Sequence, residues 1–168
     1  MSDSAAVVVC DAGPLIHLDE LNCITLLADF ESVLVPDEVW REVERHRPAA
    51  LEETGVAFQK ISGPVSESST FKALVKSLSL DLGEQAALTV MESRSAAIFL
   101  TDDAAARLAA MTFNYQVHGT IGIILRAIRR GQKSKQDVLK ILSAIPEQST
   151  LFIRPRLLAE VIDRVKAS

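Results

Sequence analysis

Short, uninterrupted apolar runs alternate along the chain with longer segments in which apolar residues recur every three or four positions. The run Ala-Val-Val-Val-Cys at 6–10 is typical of a strand buried on both faces of a sheet. Strands are predicted at 6–10, 32–35, 56–61, 96–101 and 114–117, with a short edge strand at 150–153. Helices are predicted at 14–28, 36–45, 67–78, 81–94, 104–112, 120–130, 134–144 and 155–166, and a helical turn at 48–55. This alternation predicts a mostly parallel sheet between helical layers.

Acidic residues directly follow two of the predicted strands. Asp11 ends the first strand, and Asp102 and Asp103 end the strand at 96–101. In open parallel sheets, ligands bind outside the carboxyl ends of the strands, which is where these side chains would lie. Alternatively, Asp11 caps the next helix, and so does one member of the later pair. A helix needs only one cap, and two adjacent carboxylates repel each other unless a cation is near.

Two glutamates on predicted helices also qualify as site residues. Glu84 shares a helix face with Leu88 and Met91, so it is predicted to point inward. A buried acid needs a partner, which is either a basic side chain from elsewhere in the fold or a metal. Glu42 lies at the edge of the apolar stripe marked by Val39, and a solvated surface position is its alternative interpretation.

Taken together, these positions predict a cluster of carboxylates that is unfavourable without a cation. Ligands that are all oxygen select Mg²⁺ or Mn²⁺ over Zn²⁺ or Cu²⁺. Ions bound in this way align a water and steady the leaving oxygen in phosphodiester hydrolysis. The candidate metal and catalytic side chains are Asp11, Glu42, Glu84, Asp102 and Asp103.

Composition sets limits on this hypothesis. A chain of 168 residues with 48% apolar and 24% charged residues fits one domain, 1–168, with an aliphatic core. The net charge of −4 does not suggest a nucleic-acid ligand, yet setting the five candidate acids aside leaves 18 basic against 17 acidic residues. Two cysteines make no disulfide framework, and neither a signal peptide nor an 18-residue apolar stretch is present, so we expect a cytoplasmic protein.

The order and spacing of five stretches carry a family resemblance. They are Val-Cys-Asp-Ala-Gly-Pro-Leu-Ile at 9–16, Val-Pro-Asp-Glu-Val-Trp-Arg-Glu-Val at 35–43, Leu-Gly-Glu-Gln-Ala-Ala-Leu at 82–88, Leu-Thr-Asp-Asp at 100–103, and His-Gly-Thr-Ile-Gly at 118–122 with Arg-Arg-Gly at 129–131. In these the chain resembles PIN-domain ribonucleases, and more narrowly the bacterial and archaeal branch grouped with toxin–antitoxin nucleases.

The resemblance implies a three-layer α/β/α sandwich with a parallel sheet of about five strands. It also implies a Mg²⁺- or Mn²⁺-dependent endoribonuclease acting on single-stranded RNA, with an antitoxin protein as a partner and a homodimer as the assembly. By the family pattern Asp11 and Asp103 are the principal metal ligands, Glu42 completes the first metal site and Asp102 is auxiliary. Glu84 stands where many relatives carry an acid, and its extra methylene favours contact through water.

RNA also needs basic residues, and two stretches supply them, of which 126–135 contains no acid. Arg126, Arg129 and Arg130 are the candidate RNA contacts, and the arginines of 41–47 form a second basic stretch. A solvated helix face is the alternative for both. Other functions stay open: a catalytically silent PIN-like binding or regulatory module, and a metal-dependent phosphatase. A phosphoacceptor signalling domain fits poorly, because residues 114–118 lack the lysine it requires.

Overall fold

The computed structural model describes residues 6–168 and confirms the predicted three-layer α/β/α architecture. Within that range five strands form one sheet: β1 (Val7–Cys10), β2 (Ser32–Pro36), β3 (Phe58–Ile61), β4 (Ile98–Leu100) and β5 (Gln116–His118). Eight α-helices accompany them: α1 (Ala12–Glu20), α2 (Asp37–His46), α3 (Ser69–Leu78), α4 (Leu82–Ser93), α5 (Ala104–Thr112), α6 (Thr120–Arg129), α7 (Lys135–Gln148) and α8 (Pro155–Ala167). Two 3₁₀ turns, Ile24–Asp29 and Pro48–Leu51, complete the described elements.

The sheet divides the apolar core into two parts. Successive residues of a strand point to opposite faces, so Val8 and Cys10 belong to one cluster while Val9 belongs to the other. The first cluster takes in the apolar faces of α1, α2, α6, α7 and α8. The second takes in those of α3, α4 and α5. Because β1 is covered on both faces, its apolar run has no polar alternation.

The strand order decides where a ligand can bind. The order is β3-β2-β1-β4-β5, and every neighbouring pair is parallel. After β1, the strands β2 and β3 are added on one side of it, whereas β4 and β5 are added on the other side. The direction of strand order reverses between β1 and β4, which leaves a crevice at the carboxyl ends of these two strands. Cys10 is in register with Leu100, and the Asp11 amide donates to the Leu100 carbonyl at 2.9 Å. This register sets Asp11 beside the residues that follow β4.

Several predicted elements differ from the structure in their bounds, and the helical turn predicted at 48–55 is a 3₁₀ turn over Pro48–Leu51. The helix predicted at 14–28 ends at Glu20, because Asn22 adopts a left-handed conformation (φ 56°) that asparagine tolerates, and a 3₁₀ turn follows. The helix predicted at 134–144 runs on to Gln148, since Pro146 removes only one N–H from the last turn.

The edge strand predicted at 150–153 is wrong, because the structure describes 149–154 as an irregular connection between α7 and α8. The Thr150 amide and hydroxyl donate to Glu20 Oε1 at 2.9 and 2.8 Å, so a helix end and not a strand takes up these groups. Among the described residues, no helix combines the length and the apolar character that crossing a bilayer demands.

Candidate active site

A cleft of about 360 Å³ opens at the carboxyl ends of β1 and β4. Backbone from the start of α1, the loop after β4 and the start of α4 brings acidic side chains to it, and α2 adds one more from the side. We call it the acidic cleft. Its acidic lining consists of all five candidate carboxylates and one more: Asp11, Glu42, Asp81, Glu84, Asp102 and Asp103.

Asp11 is the most buried carboxylate of the acidic cleft, with 7% of its surface exposed. Its Oδ1 accepts a hydrogen bond from the Ala12 amide at 2.9 Å, so it caps α1 as the alternative interpretation expected. Its Oδ2 accepts one from the Thr101 hydroxyl at 3.0 Å. Burial raises the pKa of Asp11 to about 7 against these hydrogen bonds, and the charges of Asp81 and Glu42 raise it further.

Glu84 points inward, as its helix position predicts, and is 8% exposed. Asp81 and Glu84 form a reciprocal cap at the start of α4: the Glu84 amide donates to Asp81 Oδ1 at 2.8 Å, and the Asp81 amide donates to Glu84 Oε2 at 2.9 Å. Burial raises the pKa of Glu84 to about 7, and the charges of Asp81, Asp103 and Asp11 add to the effect. The charged neighbours of Glu84 are thus acids.

The adjacent carboxylates of Asp102 and Asp103 make different contacts. Asp103 caps α5, with Oδ1 accepting from the Ala106 amide at 2.8 Å, and its side chain is otherwise exposed. Asp102 accepts from the Thr120 amide at 2.7 Å and from the Thr120 hydroxyl at 2.5 Å, and its Oδ2 lies 2.7 Å from His17 Nδ1.

These contacts of Asp102 hold three elements together at the cleft. Burial alone would raise the pKa of Asp102, but the hydrogen bonds from His17 and Thr120 lower it. A carboxylate offers about four acceptor positions, and three of them are in use. Asp102 therefore ties α1 and α6 to the end of β4, and the geometry favours a positioning role over the auxiliary metal role predicted for it.

Glu42 reaches the acidic cleft from α2 and is half-buried. A Cβ added at Gly83 would stand 3.6 Å from Glu42 Oε2 and 3.4 Å from Asp81 Oδ1. The start of α4 therefore lies directly against the Glu42 carboxylate. The Glu42 position at the edge of the α2 apolar stripe, and not in its centre, is what leaves the carboxylate facing the cleft.

The donor set suits a hard divalent cation in type and in charge. All six acidic groups offer oxygen, the ligand atom that Mg²⁺ and Mn²⁺ prefer. The raised pKa values of Asp11 and Glu84 show that neighbouring carboxylates and burial oppose their ionisation, which a cation would reverse. Across residues 6–168, no three Asp, Glu, His or Cys side chains already converge as one ligand group. Holding an ion would therefore require side-chain rotation within the cleft.

Arg126, a predicted RNA contact, is 2% exposed, and this burial argues against that role. Its Nη1 lies 2.7 Å from Asp29 Oδ2, and its guanidinium stacks over the Phe30 ring at 4.4 Å. Arg130 binds the same Asp29 carboxylate at 2.8 Å. Asp29 precedes β2, so the pair lies at the amino-terminal edge of the sheet, opposite the acidic cleft.

Arg129 and Arg130 are exposed but lie at the far end of α6 from the cleft. Thr120, at the start of that helix, is the residue that touches Asp102, and nine residues of helix separate it from Arg129 by roughly 14 Å. Other arginines lie nearer. Arg41 and Arg45 line a second depression together with the acids Glu38, Glu42 and Asp81.

Sequence reasoning missed four residues that build the site. Asp81 was recognisable, because Asp-x-x-Glu before an apolar run is the signature of a reciprocal helix cap. Thr101, Thr120 and His17 carry no comparable signal, since each acts through a hydrogen bond to a carboxylate remote in sequence.

The comparison with protein families agrees with the architecture. A family model described as a PIN domain matches residues 7–167, which include all five strands and all eight helices. Comparisons with curated proteins and with solved structures returned no match. The matched range covers nearly the whole chain, and its fold is nuclease-like. The chain belongs to the PIN domain family.

Proposed function

We propose that this protein is an endoribonuclease that hydrolyses phosphodiester bonds of single-stranded RNA with the help of Mg²⁺ or Mn²⁺. One observation carries the proposal: six carboxylates share a cleft at the switch point of the sheet, and burial raises the pKa of two of them to about 7. Helix capping explains single carboxylates at helix starts but not the meeting of six in one cleft, since each added carboxylate raises the cost of ionising the others.

Four side chains would hold the cation: Asp11, Glu42, Glu84 and Asp103. A divalent ion bound there supplies charge neutralisation for the phosphoryl oxygens and an acidified water. The chain itself does the positioning. Thr101 links the two strand-end acids, because its hydroxyl donates to Asp11 and accepts from the Asp103 amide at 3.1 Å. The reciprocal cap of α4 fixes the Glu84 carboxylate in the same way.

Arginines on both sides of the acidic cleft support a polyanionic substrate. Beside Glu42, Arg41 and Arg45 line a depression, where Arg41 lies 3.9 Å from Glu38. On the other side, Arg107 lies against Gly119, where a Cβ would meet its Nη2 at 3.2 Å. A strand laid across the cleft would have its scissile phosphate at the acids and its flanking phosphates near arginines.

The decisive assay is cleavage of end-labelled single-stranded RNA in Mn²⁺ or Mg²⁺. We expect Asp11→Asn and Asp103→Asn each to lower the rate by about 100-fold or more, because each removes a charged ligand. Both should stay folded by circular dichroism, since asparagine also caps helices. Asp163→Asn, an equal charge change on an exposed position of α8, is the matched control and should cleave normally. Cleavage that survives EDTA, or survives both substitutions, contradicts the proposal.

A catalytically silent binding module is the second candidate, and the lack of three converged acidic side chains within residues 6–168 favours it. Thermal melting in Mn²⁺ separates the two. At a Mn²⁺ concentration about 100 times Kd, binding to the folded state stabilises it by about 2.7 kcal/mol, or about 5–10 °C in Tm. Asp11→Asn should abolish most of that rise. An unchanged Tm in the unsubstituted protein supports the silent module.

From the family resemblance alone, we also propose that residues 1–168 form a single domain that acts in the cytoplasm as the toxin of a toxin–antitoxin pair. On the same ground we propose that the protein assembles as a homodimer. Induced expression in a bacterial host should arrest growth with the unsubstituted protein and not with Asp11→Asn. Light scattering after size-exclusion chromatography measures the assembly directly. Growth arrest by both forms rules out a nuclease toxin.

A further inference from the structure

Phe152 is the most exposed large apolar side chain among residues 6–168, with 86% of its surface accessible. It lies in the 149–154 connection between α7 and α8 and lines the acidic cleft together with the carboxylates. An isolated exposed aliphatic residue needs no explanation, but an aromatic ring at the mouth of a charged site does.

The connection holds the ring in this place. Thr150 is anchored to Glu20 by two hydrogen bonds, of 2.9 and 2.8 Å, at the end of α1. Leu151 and Ile153 are half-buried and pack against the core. Phe152 lies between them and is 86% exposed, so its ring points away from the core that its two neighbours contact. The ring is therefore presented by an anchored segment.

A second depression, of about 430 Å³, continues from the acidic cleft past Phe152. We call it the apolar groove. It shares Asp102, Leu151 and Phe152 with the acidic cleft, and its other walls include Arg107, Gly119 and Leu157. Leu157 is 50% exposed, so the groove offers two large apolar side chains to solvent. The two depressions therefore adjoin at Asp102, Leu151 and Phe152.

We infer that the apolar groove binds a nucleobase of the RNA strand next to the phosphodiester held at the carboxylates, with the base stacked on Phe152. This inference rests on the proposed ribonuclease function and adds the contact that orients the substrate. A nucleobase is the fragment of a single strand that has flat, weakly polar faces, and its neighbouring phosphate would come within reach of Arg107. Stacking accepts every base, because each has a π-face, so we expect little sequence preference from this contact.

Binding measured without cleavage tests the inference. In the Asp11→Asn background with Mg²⁺, we expect Phe152→Ala to weaken the binding of a short labelled single-stranded RNA by between about fivefold and about 100-fold. Phe152→Trp should restore the affinity, and its indole fluorescence should be quenched by the RNA above the signal change of Trp40 alone. Met111→Ala, which truncates a side chain 58% exposed on α5, is the matched control and should bind normally.

Single abasic substitutions identify the base. If stacking is responsible, one abasic position should weaken binding about as much as Phe152→Ala, and the two losses should not add when combined. Full additivity at every position, or an affinity of Phe152→Ala equal to that of Met111→Ala, overturns the inference. In that case cleavage by the unsubstituted protein still upholds the ribonuclease proposal, and a protein partner becomes the better occupant of the groove. Absence of both RNA binding and cleavage removes the two proposals together.

Discussion

Replacing Asp11 with asparagine should make the metal-free protein more stable, although it removes the central side chain of the candidate site. The carboxylate is 7% exposed and its pKa is raised to about 7 by burial and by neighbouring acids. The folded state therefore holds a proton that the unfolded state releases near its ordinary pKa of 3.8. Between these values the folded protein binds more protons, so its free energy of unfolding falls as the pH rises from about 4 to about 7.

The size of the effect follows from the displacement of the pKa. At 1.36 kcal/mol per unit, ionising Asp11 inside the fold costs about 4 kcal/mol at pH 8. Asparagine avoids this cost and keeps the hydrogen bond from the Ala12 amide. The asparagine side-chain NH₂ would then face the Thr101 hydroxyl, which donates to Oδ2 of Asp11 in the unsubstituted protein. The Thr101 oxygen can accept from this NH₂, but the Thr101 hydroxyl hydrogen loses its acceptor, which costs about 1–2 kcal/mol of stability. We expect a net gain of about 2 kcal/mol at pH 8, or about 4–8 °C in Tm.

Urea denaturation in EDTA at pH 8 and pH 4.5 measures this prediction. The gain should disappear at pH 4.5, where the unsubstituted protein carries a protonated Asp11 in the folded state. Asp163→Asn controls for the general loss of one negative charge and should change the unfolding free energy by less than about 0.5 kcal/mol at either pH. A destabilised Asp11→Asn at pH 8, or a gain equal at both pH values, would refute the account of a strained carboxylate.

Two further predictions concern the scaffold. Asp29→Ala should lower the unfolding free energy by about 3–5 kcal/mol, because it removes the carboxylate that pairs with the buried Arg126. Asp19→Ala is the control: its partner Arg47 is more exposed, and the loss should be about 1 kcal/mol or less. Gly119→Ala should destabilise the fold, because the new Cβ would stand 2.7 Å from the Asp102 carboxylate, which three hydrogen bonds hold in place. The matched substitution Gly122→Ala places its Cβ no nearer than 3.7 Å to any neighbour. It should be neutral, or stabilise α6 by about 0.5–1 kcal/mol. Chemical denaturation measures both pairs, and equal losses within either pair contradict the structural reason given for it.

Much of the fold and part of the site were predictable from the sequence. Uninterrupted β-branched runs predict strands buried on both faces, because burial direction repeats with the local period of the backbone. The same reasoning predicted that Glu84 points inward with its apolar neighbours, and its side chain is buried in the structure. The strand-end positions of Asp11 and Asp103 then predicted one shared edge, since the carboxyl ends of parallel strands meet there.

The tertiary structure alone decided which partner each polar group received. Arg126 looks like any exposed helical arginine until the fold sets it against Asp29, and Asp102 differs from Asp103 only because His17 and Thr120 reach it. The apolar run at 151–153 is compatible with a strand, yet Glu20 at the end of α1 accepts the Thr150 hydrogen bonds, and Phe152 lies at the mouth of the cleft. The physical reason is common to all of these. Periodicity records which way a side chain faces, whereas hydrogen bonds and ion pairs depend on groups that only the folded chain brings within about 3 Å.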